Sequence, residues 1–321
     1  MSTPVERHDL ASDLVEVERV VTAHDGSAIE LPPQPRVGFG KWMRTIGWRH
    51  LVGLVAVIFS AFPLVYVLSA SLNPAGTLTG SNKLFDAVSL ENYSKLLADE
   101  SRPYLKWYVN TIVIAAVSAI GTVLIGAAAA YAFSRMRFKG RRPGLMGLLL
   151  VQMFPALLTV VAIFLLLTNL GDVFPSLGVG SRLALILVYL GGALGTNTYL
   201  MYGFFNTVPA SLDEAARVDG AGHARIFFTI ILRLVAPILA VVGLLSFNGT
   251  FTEFVIASVV LGNDSSKSTL AIGLYQYVST ENNTYWPIFS AGAVLAAIPV
   301  MILFLWLQKY IVSGLTAGSV K

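Results

Sequence analysis

The sequence predicts an all-helical integral membrane protein with six transmembrane helices and both termini in the cytoplasm. The first observation is composition: 55% of the 321 residues are apolar, 12% are charged, and the mean hydropathy is +0.70. The second is length, because several apolar stretches reach the ~20 residues that a helix needs to cross a bilayer. The third is that basic residues gather at the ends of these stretches. Together these observations favour a membrane protein over a globular enzyme.

Each predicted transmembrane helix is an apolar stretch bounded by polar or basic segments. The six stretches comprise residues 51–72, 108–133, 145–168, 183–205, 234–261 and 288–311. The fifth stretch contains Asn248, Gly249 and Glu253, and it is long enough to be tilted or broken at that point.

Lys and Arg residues near the membrane are distributed unequally between its two sides. Thirteen flank one side of the predicted helices and six flank the other, and five of the thirteen lie in RMRFKGRR, residues 135–142. Because basic residues are retained in the cytoplasm, the richer side is predicted to be cytoplasmic. The same distribution accounts for the net charge of +4, so no nucleic-acid partner is predicted.

Residues 1–45 are predicted to form a flexible cytoplasmic tail, and residues 46–321 the transmembrane domain. The tail lacks the apolar core of a signal peptide and ends in a segment rich in Pro and Gly, LPPQPRVGFG at 31–40. Its residues 10–21, LASDLVEVERVV, are also compatible with a short amphipathic helix. Because the chain has no cysteine and four scattered histidines, neither a disulfide nor a metal site is predicted.

The segment SLDEAARVDGAG, residues 211–222, is predicted to form a short capped helix. Ser211 and Glu214 have the S-x-x-E spacing of a capping box, in which each side chain bonds to the other residue's amide. Gly220 and Gly222 then permit a left-handed turn that ends the helix. From spacing alone, the segment is either an ordinary interhelical connection or an element that docks on another protein.

The longer segment EAARVDGAGHARIFFTIILRLVAP, residues 214–237, resembles a signature of the membrane subunits of binding-protein-dependent ABC importers. The signature E-A-A-x-x-D-G-A is matched by six residues: Glu214, Ala215, Ala216, Asp219, Gly220 and Ala221. In that family the segment is a coupling helix docked in a cleft of the ATPase subunit, so the resemblance implies this role for residues 211–222. The chain departs from the family at Leu232 and Arg233, where the family often has Leu-Pro.

The resemblance extends from about residue 51 to the end of the chain, and it is greatest to the carbohydrate branch of the family. The last residues, GLTAGSVK at 314–321, are similar to the C-terminal tail of the second membrane subunit of maltose and maltodextrin importers. In those importers the tail reaches into the interface of the ATPase dimer. The residues implied to contact the ATPase in this way are Gly314, Leu315, Thr316 and Ala317.

Fold, location and partners follow as expectations from the resemblance. It implies a type I importer transmembrane domain in the cytoplasmic membrane of a bacterium. It also implies four kinds of partner: a second, homologous permease, two ATPase subunits, an extracytoplasmic solute-binding protein, and a sugar such as maltose or maltodextrin. The chain has no Walker motif G-x-x-x-x-G-K-[ST], so a transport subunit and not an enzyme is predicted, with ATP and Mg held by the ATPase partner.

Polar residues inside the predicted spans are candidates for the translocation path: Glu253, Asn248, Gln152 and Asn197. Glu253 is the only acidic residue within an apolar stretch. An unpaired charge at a helix centre costs about 2.5–3.5 kcal/mol, so Glu253 is expected to face the interior of the bundle. The alternative for all four is an interhelical hydrogen bond, worth about 0.6 kcal/mol on average.

The last predicted outer loop mixes aromatic and small polar residues. Asn282, Asn283, Tyr285 and Trp286 are the candidates for contact with the binding protein that the resemblance implies. The alternative is an interfacial belt, which is the usual position of aromatic residues at a membrane edge.

Two other classes of protein compete with this interpretation. A secondary transporter driven by an ion gradient normally has more spans, an inverted repeat and ionisable residues near the midplane, and only Glu253 fits that description. An intramembrane enzyme needs a nucleophile with a base or a metal set, and no histidine lies inside a predicted span.

Overall fold

The computed structural model describes residues 20–22, 28–30, 39–74, 83–262, 264–279 and 285–317. Within these ranges only the backbone is described at 20–22, 28–30, 39, 41, 156 and 311–317. The chain divides into two compact units, Met1–Val65 and Tyr66–Lys321.

The first unit contains a short antiparallel pair of strands, β1 (Val20–Thr22) and β2 (Ala28–Glu30), with Val21 opposite Ile29. The short helix that was the alternative for residues 10–21 is therefore not formed at Val20 and Val21, and residues 10–19 lie outside the described residues. The β-branched run Val-Val-Thr favours the strand, because branching at Cβ restricts the side chain more in a helix than in an extended chain.

The first apolar stretch forms a long helix that begins in the first unit and ends in the second. It is built from α1 (Phe39–Trp42), a π turn (Met43–Gly47) and α2 (Trp48–Leu72). From Met43 onward it has 30 residues, and none of its most apolar window is buried within the described structure. This helix therefore presents its apolar surface outward, as expected of a helix that meets lipid or another subunit.

The regular secondary structure in the described residues of the second unit is helical, with turns and loops between the helices. Its helices are α3 (Glu91–Ala98), α4 (Tyr104–Arg135), α5 (Arg141–Val151), α6 (Ala156–Val173), α7 (Arg182–Gly191), α8 (Thr196–Phe205), α9 (Ala210–Val218), α10 (His223–Ile226), α11 (Leu232–Leu234), α12 (Ala236–Thr252), α13 (Val255–Leu261), α14 (Leu270–Val278) and α15 (Trp286–Ala317). A 3-10 turn (Pro175–Leu177) follows α6, and a π turn (Phe227–Ile231) joins α10 to α11.

The predicted count of six spans is not confirmed by the described residues. Three helices are long and apolar enough to cross a membrane: Met43–Leu72, Tyr104–Arg135 and Trp286–Tyr310. Two bent pairs raise the number to as many as five: α7 with α8, bent by 51°, and His223–Leu234 with α12, bent by 81°. The predicted third span is divided into α5 and α6, and its apolar part is the shorter helix Leu157–Val173.

The breaks occur where the sequence interrupts helical hydrogen bonding. Pro155 separates α5 from α6. Proline breaks the helix here because it has no amide proton and disfavours a helical conformation in the residue before it. The glycine-rich segment GGALG, residues 191–195, separates α7 from α8. The fifth stretch is also broken, as predicted, but at Glu253 and Phe254, after Asn248 and Gly249.

Helix α4 is the central element of the second unit and packs against α7, α8 and α12. Near its Arg135 end, Ala127, Ala130 and Tyr131 belong to one buried apolar cluster, shared with α8, α10 and α12. Near its Tyr104 end, Tyr104 and Trp107 belong to a second cluster, shared with α14 and α15. The small residues along α4 allow its neighbours to approach closely, which is how helices associate in a membrane.

Candidate functional site

Helix α9 (Ala210–Val218) is the compact polar helix that the sequence predicts between the fourth and fifth apolar stretches. It begins directly after Pro209, so Ser211 lies inside the first turn and is not its N-cap. The predicted capping box is therefore wrong. Pro209 sets the boundary instead, because a proline keeps the preceding residue, Val208, out of the helical region.

The end of α9 has the predicted glycine turn. Gly220 has a φ of +80°, which is the left-handed conformation. The Ala221 amide donates to the Ala216 carbonyl and the Gly220 amide donates to the Arg217 carbonyl, both at 2.9 Å. These two bonds form a Schellman motif, which satisfies carbonyl groups at the end of the helix. Helix α10 then begins at His223.

Helix α9 has one buried face and one exposed face. Asp213 is 2% exposed and Ala216 is 9% exposed, whereas Val218 is 87% exposed and Leu212 is 42% exposed. Ala215 is exposed as well. Because Leu212, Ala215 and Val218 recur every third residue, they form one exposed apolar strip along the helix, here named the docking stripe.

The six residues of the signature divide between these two faces. Ala216 is buried and Ala221 is partly buried. The other four are exposed: Glu214, Ala215, Asp219 and Gly220. Ala216 and Ala221 pack in the apolar cluster at the Arg135 end of α4. The signature thus contains residues that hold the helix on the membrane domain and residues that a partner can reach.

A buried ion pair joins α9 to the end of α4. Arg135 Nε lies 2.8 Å from Asp213 Oδ2, an ion contact without hydrogen-bond geometry at Nε, and the two side chains are 7% and 3% exposed. Arg135 Nη2 also donates to the Val208 carbonyl at 2.7 Å. Asp213 Oδ1 has no hydrogen-bond partner in the described part of the chain.

Sequence reasoning missed this pair. In the sequence, Arg135 is one of the basic residues that predict the orientation, and Asp213 is a charge that complements the helix dipole. A contact between residues this far apart in the chain has no periodic signal. The only hint in the sequence is that charged residues are rare, at 12% of the chain, so the charge of Asp213 in this short helix suggests a specific partner.

Glu253 lies at the break between α12 and α13 and not within a continuous helix. Its Oε1 accepts from the Ile256 amide at 2.8 Å, and its Oε2 accepts from the Ala257 amide at 2.9 Å and from the Tyr189 hydroxyl at 2.7 Å. The carboxylate therefore caps the start of α13 and links it to α7. The expected cost of an unpaired charge does not arise, because both oxygens accept hydrogen bonds.

The other three candidates for the translocation path lie in different surroundings. Asn248 is exposed beside a groove of about 630 Å³ between α12 and α15. Asn197 Nδ2 lies 3.5 Å from Ser246 Oγ, which joins α8 to α12. The Gln152 side chain packs directly on Gly195: a Cβ added to Gly195 would lie 1.9 Å from Gln152 Nε2. No hydrogen bond among the described residues joins two of the four candidates.

The candidates for contact with partners are only partly described. Asn282 and Asn283 lie outside the described residues. Tyr285 lies beside Arg102, whose guanidinium is 4.7 Å from its ring centroid, and the Trp286 ring stacks on Phe289 at 5.3 Å. At the other end of α15, the tail candidates Gly314, Leu315, Thr316 and Ala317 form the last helical turn, and their side chains are not described.

The long apolar helices and the polar helix α9 are those of a membrane protein, and comparison with known proteins identifies its family. Residues 105–317 match the model of the binding-protein-dependent transport system inner membrane component, and the chain belongs to this family. The resemblance stated from the signature is therefore confirmed.

Two curated relatives match over most of their length. The galactooligosaccharides transport system permease protein GanQ of Bacillus subtilis (strain 168) is 41% identical over 282 residues, which are 88% of this chain and 97% of the relative. The maltose/maltodextrin transport system permease protein MalG of Escherichia coli (strain K12) is 39% identical over 282 residues, which are 85% of this chain and 94% of the relative.

Solved structures show the same fold. A bacterial ABC transporter involved in the import of the acidic polysaccharide alginate matches with a TM-score of 0.71 at 24% identity, over 86% of this chain and 99% of that one. A chain of the bacterial alginate ABC transporter in complex with an alginate pentasaccharide-bound periplasmic protein matches with a TM-score of 0.62 at 14% identity, over 84% and 96%. The fold is that of a type I ABC importer permease, as the resemblance implied.

Proposed function

We propose that the chain is one permease subunit of an ATP-driven importer that carries a sugar, maltodextrin or a related oligosaccharide, across the bacterial cytoplasmic membrane. The two relatives that are 39% and 41% identical are permease subunits named for maltose/maltodextrin and for galactooligosaccharides, which supports this class of substrate. Because the chain is about equally similar to both relatives, the proposal does not choose between these sugars. The alternative of an ion-gradient transporter receives no support from the family match.

The proposed assembly contains a second permease, two ATPase subunits and an extracytoplasmic binding protein. The alginate structure in which a sugar-bound periplasmic protein accompanies the transporter supports the last of these partners. ATP and Mg would bind to the ATPase subunits. The basic end of α4 and both termini would then lie in the cytoplasm, in agreement with the distribution of Lys and Arg.

The coupling role is proposed for α9, and the docking stripe is the observation that carries it. An exposed apolar strip on a short helix that is otherwise well charged is typical of a surface that binds another protein. Leu212, Ala215 and Val218 would contact the ATPase, with Glu214, Asp219 and Gly220 at the edges of the contact. The C-terminal residues 314–317 would supply a second contact.

Movement of the ATPase would reach the membrane along two connections. One is the buried pair of Asp213 with Arg135, which joins α9 to the central helix α4. The other is the continuous chain from α10 through the π turn and α11 to α12, with a bend of 81° before α12. Because packed helices move as rigid bodies, a displaced α9 would tilt α4 and α12 and exchange the inward and outward openings.

The translocation path is proposed to follow the broken helices. Asn248 would line it from the groove beside α12, while Asn197 and Gln152 border the break between α7 and α8. Glu253 would hold the break in α12 through Tyr189 and not contact the sugar directly. On the outer side, Asn282, Asn283, Tyr285 and Trp286 remain the candidates for contact with the binding protein.

The coupling proposal is tested by reversing one charge at the edge of the docking stripe. We expect Glu214→Lys to lower ATP-driven sugar uptake by about tenfold or more, the effect of ~1.4 kcal/mol lost at the docked surface. Uptake is measured in vesicles that contain the whole importer, and membrane insertion is measured in parallel. Glu100→Lys, which changes an exposed glutamate before α4, is the matched control. Normal ATP-dependent uptake by Glu214→Lys would contradict the coupling role.

A further inference from the structure

The face of α9 that points away from the docking stripe borders a cavity of about 680 Å³. Ala210, Asp213, Glu214 and Arg217 line it from α9, at the i, i+3, i+4 and i+7 positions of one helical face. The remaining lining comes from the end of α4, the start of α5 and His223. The volume lies in the range of about 300–1,000 Å³ that is usual for small-molecule sites.

The cavity is rich in positive charge. Four arginines and one histidine line it, against two carboxylates: Arg135, Arg137, Arg141, Arg217 and His223, against Asp213 and Glu214. The pair of Arg135 with Asp213 is neutral as a whole. In the described part of the chain, the other three arginines form no ion pair, and Glu214 is the one carboxylate left to balance them.

The positions of these arginines suit an anion with several oxygens. Arg141 is held at the cavity by donating from Nη2 to the Ser134 carbonyl at 3.3 Å, and the exposed Arg137 and Arg217 face the same space. A guanidinium binds phosphate through two parallel N–H donors, and several guanidinium groups around one cavity favour a phosphate over a single carboxylate.

The cavity also lies where a phospholipid headgroup can reach it. It lies at the end of the apolar helix α4, where Met136, which is 36% exposed, forms part of its lining. Basic pockets at the ends of transmembrane helices on the cytoplasmic side bind the headgroups of anionic lipids. We propose that this cavity binds the phosphate group of an anionic ligand, supplied by a phospholipid headgroup or by a soluble organic phosphate.

A bound phosphate would connect α9 to the ends of α4 and α5. It would neutralise the excess of guanidinium charge and so tighten the contact between α9 and the membrane domain. The cavity and the docking stripe lie on different faces of α9, and of the proposed contact residues only Glu214 also lines the cavity. The phosphate site is therefore tested at Arg141 and Arg217, which have no part in the proposed coupling contact, so its failure and the failure of the coupling role are distinguishable.

The test measures lipid binding by the purified full-length chain. The chain is reconstituted in vesicles of phosphatidylcholine that contain a small fraction of labelled phosphatidylglycerol, and the lipid retained per chain is counted after extraction with detergent. Arg141→Gln with Arg217→Gln is the test variant. Arg142→Gln with Arg225→Gln removes two exposed arginines that do not line the cavity and is the matched control.

We expect about a fivefold loss of affinity for each cavity arginine removed, and so on the order of 30-fold for the double variant. The control should stay within about twofold of the unchanged chain. Both double variants are first shown to have the same melting temperature, so that a loss of lipid is not a loss of folding.

The source of the phosphate is decided by competition. If excess phosphatidylcholine and millimolar glycerol phosphate both fail to displace phosphatidylglycerol, the ligand is a lipid headgroup. If glycerol phosphate displaces phosphatidylglycerol from both the unchanged chain and the control variant, the soluble phosphate is the ligand. Equal retention of phosphatidylglycerol by the test and control variants would overturn the proposal.

Discussion

The two ends of helix α4 are fixed by different chemistry. At the Tyr104 end, neutral groups bond to backbone atoms of the loop before α14 and of α14 itself. Trp107 Nε1 donates to the Ser265 carbonyl at 2.7 Å, and Thr111 Oγ1 accepts from the Leu270 amide at 2.7 Å. At the Arg135 end, the polar connection to α9 is the buried ion pair with Asp213, beside the apolar packing of Ala216.

The Tyr104 end has several hydrogen bonds that support one another. Asn110 Nδ2 donates to the Ser266 and Ser268 carbonyls at 3.0 and 3.1 Å, and Asn110 Oδ1 accepts from Arg182 at 2.5 Å. The Ser266 hydroxyl and amide donate to Asp264 Oδ1 at 2.6 and 2.9 Å, which fixes this turn and lowers the pKa of Asp264 below its usual range.

The comparison shows that one helix is held by several independent hydrogen bonds at one end and by one buried ion pair at the other. Loss of one bond at the Tyr104 end leaves the remaining bonds in place, and each bond between neutral groups contributes about 0.5–1.5 kcal/mol. The Arg135 end depends on two buried charges that compensate each other, so neither can be lost alone. This is the arrangement expected if α9 transmits movement to α4 while the Tyr104 end stays in position.

The largest expected effect comes from removing one charge of the buried pair. Arg135→Ala leaves Asp213 buried without a counter-ion, and Asp213→Ala leaves Arg135 in the same state. We expect each to lower the free energy of unfolding by about 3–5 kcal/mol. Equilibrium unfolding of the purified chain in detergent, with denaturant, measures both values.

The double variant Arg135→Met with Asp213→Leu separates lost charge from lost packing. Replacing a buried pair by apolar residues of similar volume is often neutral or stabilising by about 1–4 kcal/mol, so the double variant should be more stable than either single variant. Additive losses in the double variant would show that packing, not charge compensation, holds this end. The contrast between the two ends of α4 would then disappear.

A smaller effect is expected at the Tyr104 end, where packing is tight. A Cβ added to Gly273 in α14 would lie 2.0 Å from the Trp107 ring, so Gly273→Ala forces the indole or α14 to shift. We expect a loss of about 1–3 kcal/mol in the free energy of unfolding. Gly203→Ala is the matched control, because nothing lies within 4 Å of a Cβ there and alanine favours a helix. Equal stability of the two variants would mean that this end is not closely packed.

The local features of α9 could be predicted from the sequence, and its long-range contacts could not. Gly220 predicts a left-handed turn because its lack of Cβ makes that conformation accessible, and the structure has it. Ser211 predicts a helix start, but Pro209 overrides it, since a proline limits the residue before it as well. The pairing of Arg135 with Asp213 depends on tertiary packing, which no local pattern encodes.

The spans show the same division between local and tertiary information. Hydropathy identifies the apolar stretches, because burial in lipid depends on composition averaged over about 20 residues. It does not reveal the bends at Gly195 or at Val235, because one glycine, or one proline such as Pro237, hardly changes that average. Glu253 is similar: the sequence places it in the fifth stretch, and only the structure shows that it caps α13.

The smallest expected effect is at an exposed ion pair, which sharpens the comparison with Arg135 and Asp213. Lys95 Nζ lies 2.7 Å from Glu91 Oε1, a shorter contact than the buried pair has, but the two side chains are 51% and 50% exposed. An exposed i, i+4 pair on a helix contributes about 0.3–0.5 kcal/mol, so Lys95→Gln should lower the free energy of unfolding by no more than this. The effect should vanish in 1 M salt, where the Debye length is about 3 Å, whereas the effect of Arg135→Ala should persist because salt does not reach a buried charge. If Lys95→Gln lowered the free energy of unfolding as much as Arg135→Ala does, burial would not be the cause of the difference in strength that we expect between the two ion pairs.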